Sequence, residues 1–241
     1  MKIKTRIFID APLKENSTVA VSDNQLHHLV VVLRIATGEY VSVFNSGGEF
    51  LSKVSGIGKK EATLQVLNLM RTAVKADFHL HLAYAPLKKD ANDFVLEKAV
   101  ELGAHEITQV RTEYTVNKPL DADKISQKLI LATQQCERLD VPAVNPHINL
   151  AKFLDKYKNS TIFWLYERGD GITMSQYLRE NTDLREVIFL IGPEGGFSPA
   201  EVNLLQSLDF VKQVHFNTNI LRAETAALAA LINFQIISCN F

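Results

Sequence analysis

Two rhythms of apolar and polar positions run along the chain. Up to about residue 72 the pattern is that of short strands. Lys4-Thr5-Arg6-Ile7-Phe8-Ile9 alternates, as do Tyr40–Phe44 and Ala62–Leu67, and Gly38, Gly47-Gly48, Gly56 and Gly58 punctuate them. One helix is predicted in this stretch. It opens at Ser22-Asp23-Asn24-Gln25, the form of a capping box, and carries Leu26, Leu29, Val30 and Leu33 on one stripe. Short strands around a single helix predict a small barrel-like module.

From Phe78–Ala85 onward strands alternate with helices. Strands are predicted at 106–110, 161–165, 186–191 and 210–216, and helices at about 90–102, 122–139, 173–180, 198–208 and 223–237. Gly103 stands where a helix-ending glycine belongs. Such alternation predicts an α/β domain with a largely parallel sheet covered on both faces. The rhythm changes near residues 72–77, giving domains of 1–73 and 74–241. The sequence shows no internal repeat and no low-complexity tract.

Of the 241 residues, 46% are hydrophobic and 22% charged, which excludes a disordered chain and a collagen-like fibre. The net charge is −1, but it is unevenly divided. Residues 1–75 hold ten Lys/Arg against six Asp/Glu, and residues 76–241 hold 16 against 21. A mildly basic front half permits nucleic-acid contact without requiring it. Cys136 and Cys239 are too few for a disulfide scaffold or a four-cysteine zinc site. The first residues lead straight into a strand pattern, and the longest apolar run, Ala226–Ile232, is too short to span a bilayer. A cytoplasmic protein without a membrane segment is expected.

The strongest chemical signal begins with Val187-Ile188-Phe189-Leu190-Ile191, a run that fits a strand buried on both faces. It leads into Gly192-Pro193-Glu194-Gly195-Gly196-Phe197, and then Ser198-Pro199-Ala200-Glu201 combines a capping box with proline at the first helical position. In open α/β sheets ligands bind at such strand ends. The loop fits either a ligand cradle or a tight turn, and it matches neither the phosphate-loop nor the dinucleotide fingerprint. A second segment, Asn217 to Leu228, sets polar turn formers before an alanine-rich helix. Arg222 and Glu224 at its entrance fit either a site or a surface ion pair of little worth. His27 and His28 lie roughly 100° apart on a helix, which suits RNA contact or packing better than a metal. His79 and His81 share a strand face. Without a third ligand, no metal is expected there, and both are predicted on a partly solvated sheet face. Lys88-Lys89 fits a solvated pair or an RNA contact.

Several segments together resemble one family. Leu190-Ile191-Gly192-Pro193-Glu194-Gly195-Gly196-Phe197-Ser198, followed by Ile220-Leu221-Arg222-Ala223-Glu224-Thr225-Ala226, resembles the paired signature of the RsmE family. These are 16S ribosomal RNA uridine-N3 methyltransferases of the SPOUT superfamily. Also similar are His27-His28-Leu29 with Val32-Leu33-Arg34, Leu96 to Gly103, and Gln135-Cys136 with Arg138 and Val141-Pro142. The resemblance implies a PUA-like RNA-binding barrel before a SPOUT domain whose chain forms a trefoil knot. It further implies a homodimer acting on 16S ribosomal RNA of the small ribosomal subunit.

The implied cofactor is S-adenosylmethionine. Its contacts would be Leu190, Ile191, Gly192, Pro193, Glu194, Gly195, Gly196, Ile220, Leu221 and Arg222, together with Tyr166 and Glu167. Methyl transfer from a sulfonium needs no metal. Arg222 is the candidate cation beside the uracil, with Arg6 and Arg138 as further candidates, and Glu224 is the candidate base. Arg6, His27, His28, Arg34, Lys88 and Lys89 are candidate RNA contacts. The chain departs from the family pattern at Asn217, at Asn219 and Tyr114 where arginine is usual, and at Glu137 where glycine is common. Two lost positive charges bear on the RNA target. They would also mark a catalytically silent RNA-binding protein, or a SPOUT enzyme with another RNA target. A phosphate site in a small-molecule enzyme is the third reading of the glycine loop.

Overall fold

The computed structural model describes residues 2–74, 76–168, 171–181, 184–216 and 219–238. The chain forms two compact units, one of Met1–Lys75 with Thr133–Val141, the other of Ala76–Ala132 with Pro142–Phe241.

In the first unit β1 (Ile3–Phe8), β2 (Thr18–Ser22), β3 (Tyr40–Asn45), β4 (Gly48–Ile57) and β5 (Glu61–Arg71) form one sheet in the order β1-β3-β4-β5-β2. β1 runs parallel to β3, and the other pairings are antiparallel. Inward-facing Ile7, Val21, Val41, Val43, Val54, Leu64 and Val66 close a core with Leu29. β2 and β4 were not predicted. Glycine read as punctuation is the reason for β4: Gly48 opens that strand, and Gly56 lies inside it where the register shifts after Val54. Glycine within a strand marks such bulges.

The predicted capping box at Ser22 does not form. Ser22 Oγ donates to the neighbouring Asp23 carboxylate, and Gln25 Nε2 turns away to the Phe8 carbonyl at 2.8 Å. The helix is also not one regular α-helix: α1 (Asp23–His27) passes into a π-helical turn, His28–Val32, and ends at Arg34 with φ +50°. Leu29 is nevertheless buried, so the predicted stripe faces the core.

The predicted helix 122–139 is shorter, α3 (Ala122–Gln135). Its last carbonyls have no partner within the helix, and Arg6 supplies donors from its Nη1 to Thr133 O at 3.1 Å and Gln134 O at 2.9 Å. Glu137 then takes φ +62°, a left-handed backbone that glycine adopts at no steric cost. Glycine would therefore suit this position.

The second unit comprises β6 (His79–Tyr84), α2 (Lys89–Glu101), β7 (Glu106–Arg111), the body of α3, β8 (Ala143–Val144), β9 (Ile148–Asn149), α4 (Leu150–Lys156), β10 (Ile162–Leu165), β11 (Ile172–Thr173), α5 (Met174–Glu180), β12 (Glu186–Ile191), α6 (Pro199–Gln206), β13 (Val211–His215) and α7 (Ala223–Ser238). The sheet order is β11-β13-β10-β12-β6-β7-β8, with β9 also on β7, and every pairing is parallel. Alternation along β12 explains its apolar run. Ile188 and Leu190 pack into a core with Leu150, Phe153 and Leu205 of α4 and α6, while the Phe189 ring lies edge-on to Phe234 of α7. Gly103 (φ +82°) ends α2 as a Schellman motif: Gly103 N–H bonds Val100 O at 3.1 Å and Ala104 N–H bonds Ala99 O at 2.9 Å. Among the described residues no helix is long and apolar enough to cross a membrane.

Candidate functional site

Because the strands are parallel, β13, β10, β12, β6 and β7 all end on one edge of the sheet. Trp164 pairs with Gln213 on one side and Leu190 on the other, Ile191 pairs with Tyr84, and Tyr84 with Gln109. The glycine loop leaves β12, Tyr166 and Glu167 leave β10, and the bend before Arg222 leaves β13. The strands that lead towards the two signature segments, β12 and β13, thus end two strand spacings apart, about 10 Å, with β10, which leads into Tyr166-Glu167, between them.

The glycine loop is shaped by its neighbours. Gly196 N–H closes a turn onto Pro193 O at 2.9 Å, with Gly196 at φ +73°. Buried Phe197 folds back over Gly192, where any Cβ would stand 2.6 Å from its ring. Phe197 is edge-on to Trp164, 5.6 Å between centroids, and Trp164 stacks on Tyr166 at 4.4 Å. The predicted capping box at Ser198 does form: Ser198 Oγ accepts Glu201 N–H, and Glu201 accepts Ser198 N–H at 3.0 Å. The other Glu201 oxygen accepts the Glu113 N–H at 2.8 Å. Beside it Tyr114 lies against Gly195, whose Cβ would meet that of Tyr114 at 3.3 Å.

On the β13 side, Arg222 caps α7 through its carbonyl, which accepts Ala226 N–H at 2.8 Å. Its side chain is exposed and Glu224 is half-buried. Among the described residues no ion pair joins the two. A cleft of about 660 Å³ lined by Thr173, Ser175, His215, Phe216, Asn219 and Leu221 lies beside this bend. Glu167 Oε1 is buried without a hydrogen-bond partner. Burial raises its carboxyl above the ordinary range, against the opposing pull of His215 and a backbone N–H from Phe216. Asn217 lies outside the described residues, as does Cys239.

The remaining candidates are placed differently. Arg6 is not an available cation: Nε and Nη2 hold Glu49 at 2.9 and 3.4 Å, Nη1 holds two carbonyls, and Nη2 also donates to Arg138 O at 2.9 Å. All five guanidinium N–H groups are thereby engaged within the first unit, and the ring of Phe44 lies 4.2 Å below. Arg138 pairs with Asp140 there. His27, His28 and Arg34 are exposed on the α1 segment of that unit. In the second unit Lys88 is the exposed N-cap residue of α2, and Lys89 faces Asp93 at 3.7 Å.

His81 corrects the expected solvated face. It is fully buried, with Nε2 2.8 Å from Thr108 Oγ1 and its ring against Phe153 and Tyr157, because α4, absent from the sequence prediction, covers that face. His79 alone is partly exposed and bonds Glu106 at 2.9 Å. No cluster of three or more His, Cys, Asp or Glu among the described residues is arranged to hold a metal. Sequence reasoning also missed the Glu201–Glu113 bond, Tyr114 on the glycine loop, and Arg111 and Lys118 at the end of β7. A strand-terminal arginine at 111 was the available signal.

Residues 74–235 match the family model of an RNA methyltransferase domain, and residues 21–67 that of an RNA methyltransferase PUA domain. The fold and its carboxyl edge therefore define an RNA methyltransferase with a PUA-like amino-terminal part. The chain is 30% identical over 239 residues to the ribosomal RNA small subunit methyltransferase E of Rickettsia conorii, covering 98% of this chain and 96% of that one. The chain belongs to the ribosomal RNA small subunit methyltransferase E family. A crystal structure of the family member from Neisseria gonorrhoeae bound to S-adenosyl methionine superposes with a TM-score of 0.80 at 27% identity, covering 97% of each chain. A putative methyltransferase from Legionella pneumophila, in complex with the same cofactor, gives 0.86 at 25%, covering 100% of this chain and 98% of that one.

Proposed function

We propose that the protein binds S-adenosylmethionine at the ends of β10, β12 and β13 and methylates N3 of one uridine in 16S ribosomal RNA of the small ribosomal subunit. The observation that carries this reading is the convergence of both signature segments on one sheet edge. The donor bound in the two similar crystal structures supports the cofactor.

The residues fit such a donor. Gly196 offers open backbone, with nothing within 4 Å of where a Cβ would stand, and the unpartnered Glu167 Oε1 is an acceptor for an amino or hydroxyl group. Leu190, Ile191, Gly192, Pro193, Glu194, Gly195 and Gly196 would cradle it from one side. Ile220, Leu221 and Arg222 would do so from the other, with Tyr166 and Glu167 between. The donor supplies a methyl group whose leaving group is already activated. The protein aligns the base and excludes water; alignment alone contributes up to about 7–11 kcal/mol in the best cases. Arg222 stabilises the N3 anion, and Glu224 takes the proton once N3 is within hydrogen-bond reach. Arg6 and Arg138 act one step back, holding the first unit's own segments together.

Residues 1–73 form the RNA-binding module in this reading, with His27, His28 and Arg34 as contacts, and residues 74–241 form the methyltransferase domain, with Lys88 and Lys89 at its RNA side. The chain passes from β12 to β13 across β10, which supports a trefoil knot, an exception to the rule against threaded connections. Ile220, Ile232 and Ile236 are 73%, 40% and 58% exposed, and so much apolar surface on one segment supports a homodimer.

Mass spectrometry of 16S ribosomal RNA from cells with and without the gene tests the proposal. One 3-methyluridine should disappear without it, and loss of a methyl on ribose or another base would overturn the assignment. An Arg222→Ala enzyme that binds donor and RNA normally yet works at the wild-type rate would remove Arg222 from the mechanism.

A further inference from the structure

Beyond the donor site, on the other flank of the glycine loop, the ends of β6 and β7 enclose a concavity of about 310 Å³ whose lining includes Pro86, Gln109, Arg111, Asn117, Lys118 and His147. We infer that this concavity is a subsite for a phosphate-bearing nucleotide of the RNA chain, resting on the methyltransferase reading above.

Three observations carry it. Arg111, Lys118 and His147 converge on one hollow and are exposed, and no carboxylate pairs with any of them among the described residues. Arg111 and Lys118, two unneutralised cations in a concave wall, attract a polyanion, and the volume suits one nucleotide rather than a larger ligand. Second, the hollow is pre-built. Gln109 in its wall is fixed by Tyr84 OH at 3.3 Å and Asn92 Oδ1 at 3.2 Å, while its own Oε1 accepts Leu120 N–H at 2.8 Å. The strip from Thr112 to Thr115 is closed by the Thr115 hydroxyl, which accepts Thr112 N–H at 2.9 Å. A wall pinned at both ends loses little entropy when a ligand docks. Third, Glu201 on Glu113 and Tyr114 on Gly195 tie this wall to the glycine loop, so a nucleotide held here lies beside the donor. The cations stand open at the rim, which suits a chain running past rather than a free nucleotide enclosed.

The test is a titration of full-length protein with transcribed 16S ribosomal RNA across a salt series. Arg111→Ala/Lys118→Ala should bind several-fold more weakly, and its salt slope should shrink by roughly 1.4–1.8, since each neutralised phosphate contributes about 0.7–0.9. Arg111→Lys/Lys118→Arg should retain the slope. S-adenosylmethionine affinity by calorimetry and the melting temperature should match wild type in both, as these side chains are exposed and unpaired. Unchanged RNA affinity and slope in the double alanine variant would overturn the subsite while leaving the donor site intact. Wild-type protein that fails to bind S-adenosylmethionine would instead strike the underlying reading. Binding of uridine 5′-monophosphate more tightly than the RNA, dependent on Arg111 and Lys118, would overturn the RNA assignment in favour of a free-nucleotide site.

Discussion

Glu201 accepts a backbone N–H with each carboxylate oxygen: Ser198 at 3.0 Å in its own helix cap, and Glu113 at 2.8 Å from a strand end 88 residues away. One side chain therefore sets the start of α6 and anchors the loop after β7 against the glycine loop. Glu201→Ala should lower stability by about 1–2 kcal/mol, the usual worth of a lost cap. It should also raise KM for RNA several-fold with a smaller change in S-adenosylmethionine affinity. A residue serving only as a cap would lower the melting temperature and leave KM for RNA unchanged, so melting and steady-state kinetics on one variant separate the two roles.

Arg6 was a candidate for the chemistry because it carries charge in a family-like chain, yet its contacts make it an internal tie. Glu49 is 7% exposed and is held by Arg6 and Arg71. Burial pushes its carboxyl up, but the hydrogen bonds from Arg6 and Arg71 bring it below its ordinary value. Without Arg6 the buried carboxylate keeps only the half-exposed Arg71, and Thr133 O, Gln134 O and Arg138 O lose their donor. Arg6→Met should destabilise the fold by about 3 kcal/mol, and Arg6→Met/Glu49→Leu should recover much of that loss. Urea unfolding of the three proteins checks this, and equal midpoints for the single variant and wild type would contradict it.

The contrast shows what local pattern conveys. β12, its glycine turn and the Ser198 cap were legible because buried apolar runs, glycine and capping residues act over a few neighbours. The same local rule failed at Ser22, where Phe8, 17 residues before Gln25, claims the Gln25 amide. It failed again at α3, whose end is set by Arg6, 127 residues before Thr133. His81 was misplaced because α4 covers it, and Leu150–Lys156 is too short for its period to stand out. Family resemblance, and no local pattern, assigned Arg222 and Gly192 to one expected site. Glu201, Arg111 and Lys118 gain their meaning only once β7 is placed beside β6, and β6 beside β12.

Gly192 is constrained by packing rather than by backbone angle, since a Cβ there would meet Phe197 at 2.6 Å. Gly192→Ala must displace the Phe197 ring, which stands edge-on to Trp164, the one tryptophan of the chain. Overpacking of this kind costs about 1–3 kcal/mol. S-adenosylmethionine affinity should fall at least tenfold by calorimetry, and the tryptophan emission should shift. Normal affinity with unshifted emission would mean the loop accommodates the methyl group without moving Phe197.

His81 predicts how the protein responds to acid. Burial pushes its imidazole down to about 4 from an ordinary 6.5, against the attraction of Glu106 and with further lowering from His79 and Lys156. The unfolded chain therefore takes up a proton that the folded chain refuses. Stability is fully present above pH 6.5 and falls as pH drops from 6.5 towards 4, by about 3 kcal/mol in all. Glu106 adds a loss of the same sign at lower pH. Burial pushes its carboxyl up, but the charge of His81 and hydrogen bonds from Tyr157, Asn145 and His79 hold it at about 2, so its contribution is lost between about 4.5 and 2. His81→Gln keeps a partner for Thr108 and cannot titrate. Between pH 7 and pH 4.5 its unfolding free energy should therefore decline less than that of wild type. Urea melts across that range decide the matter: parallel curves for the two proteins would show that some other group drives the loss.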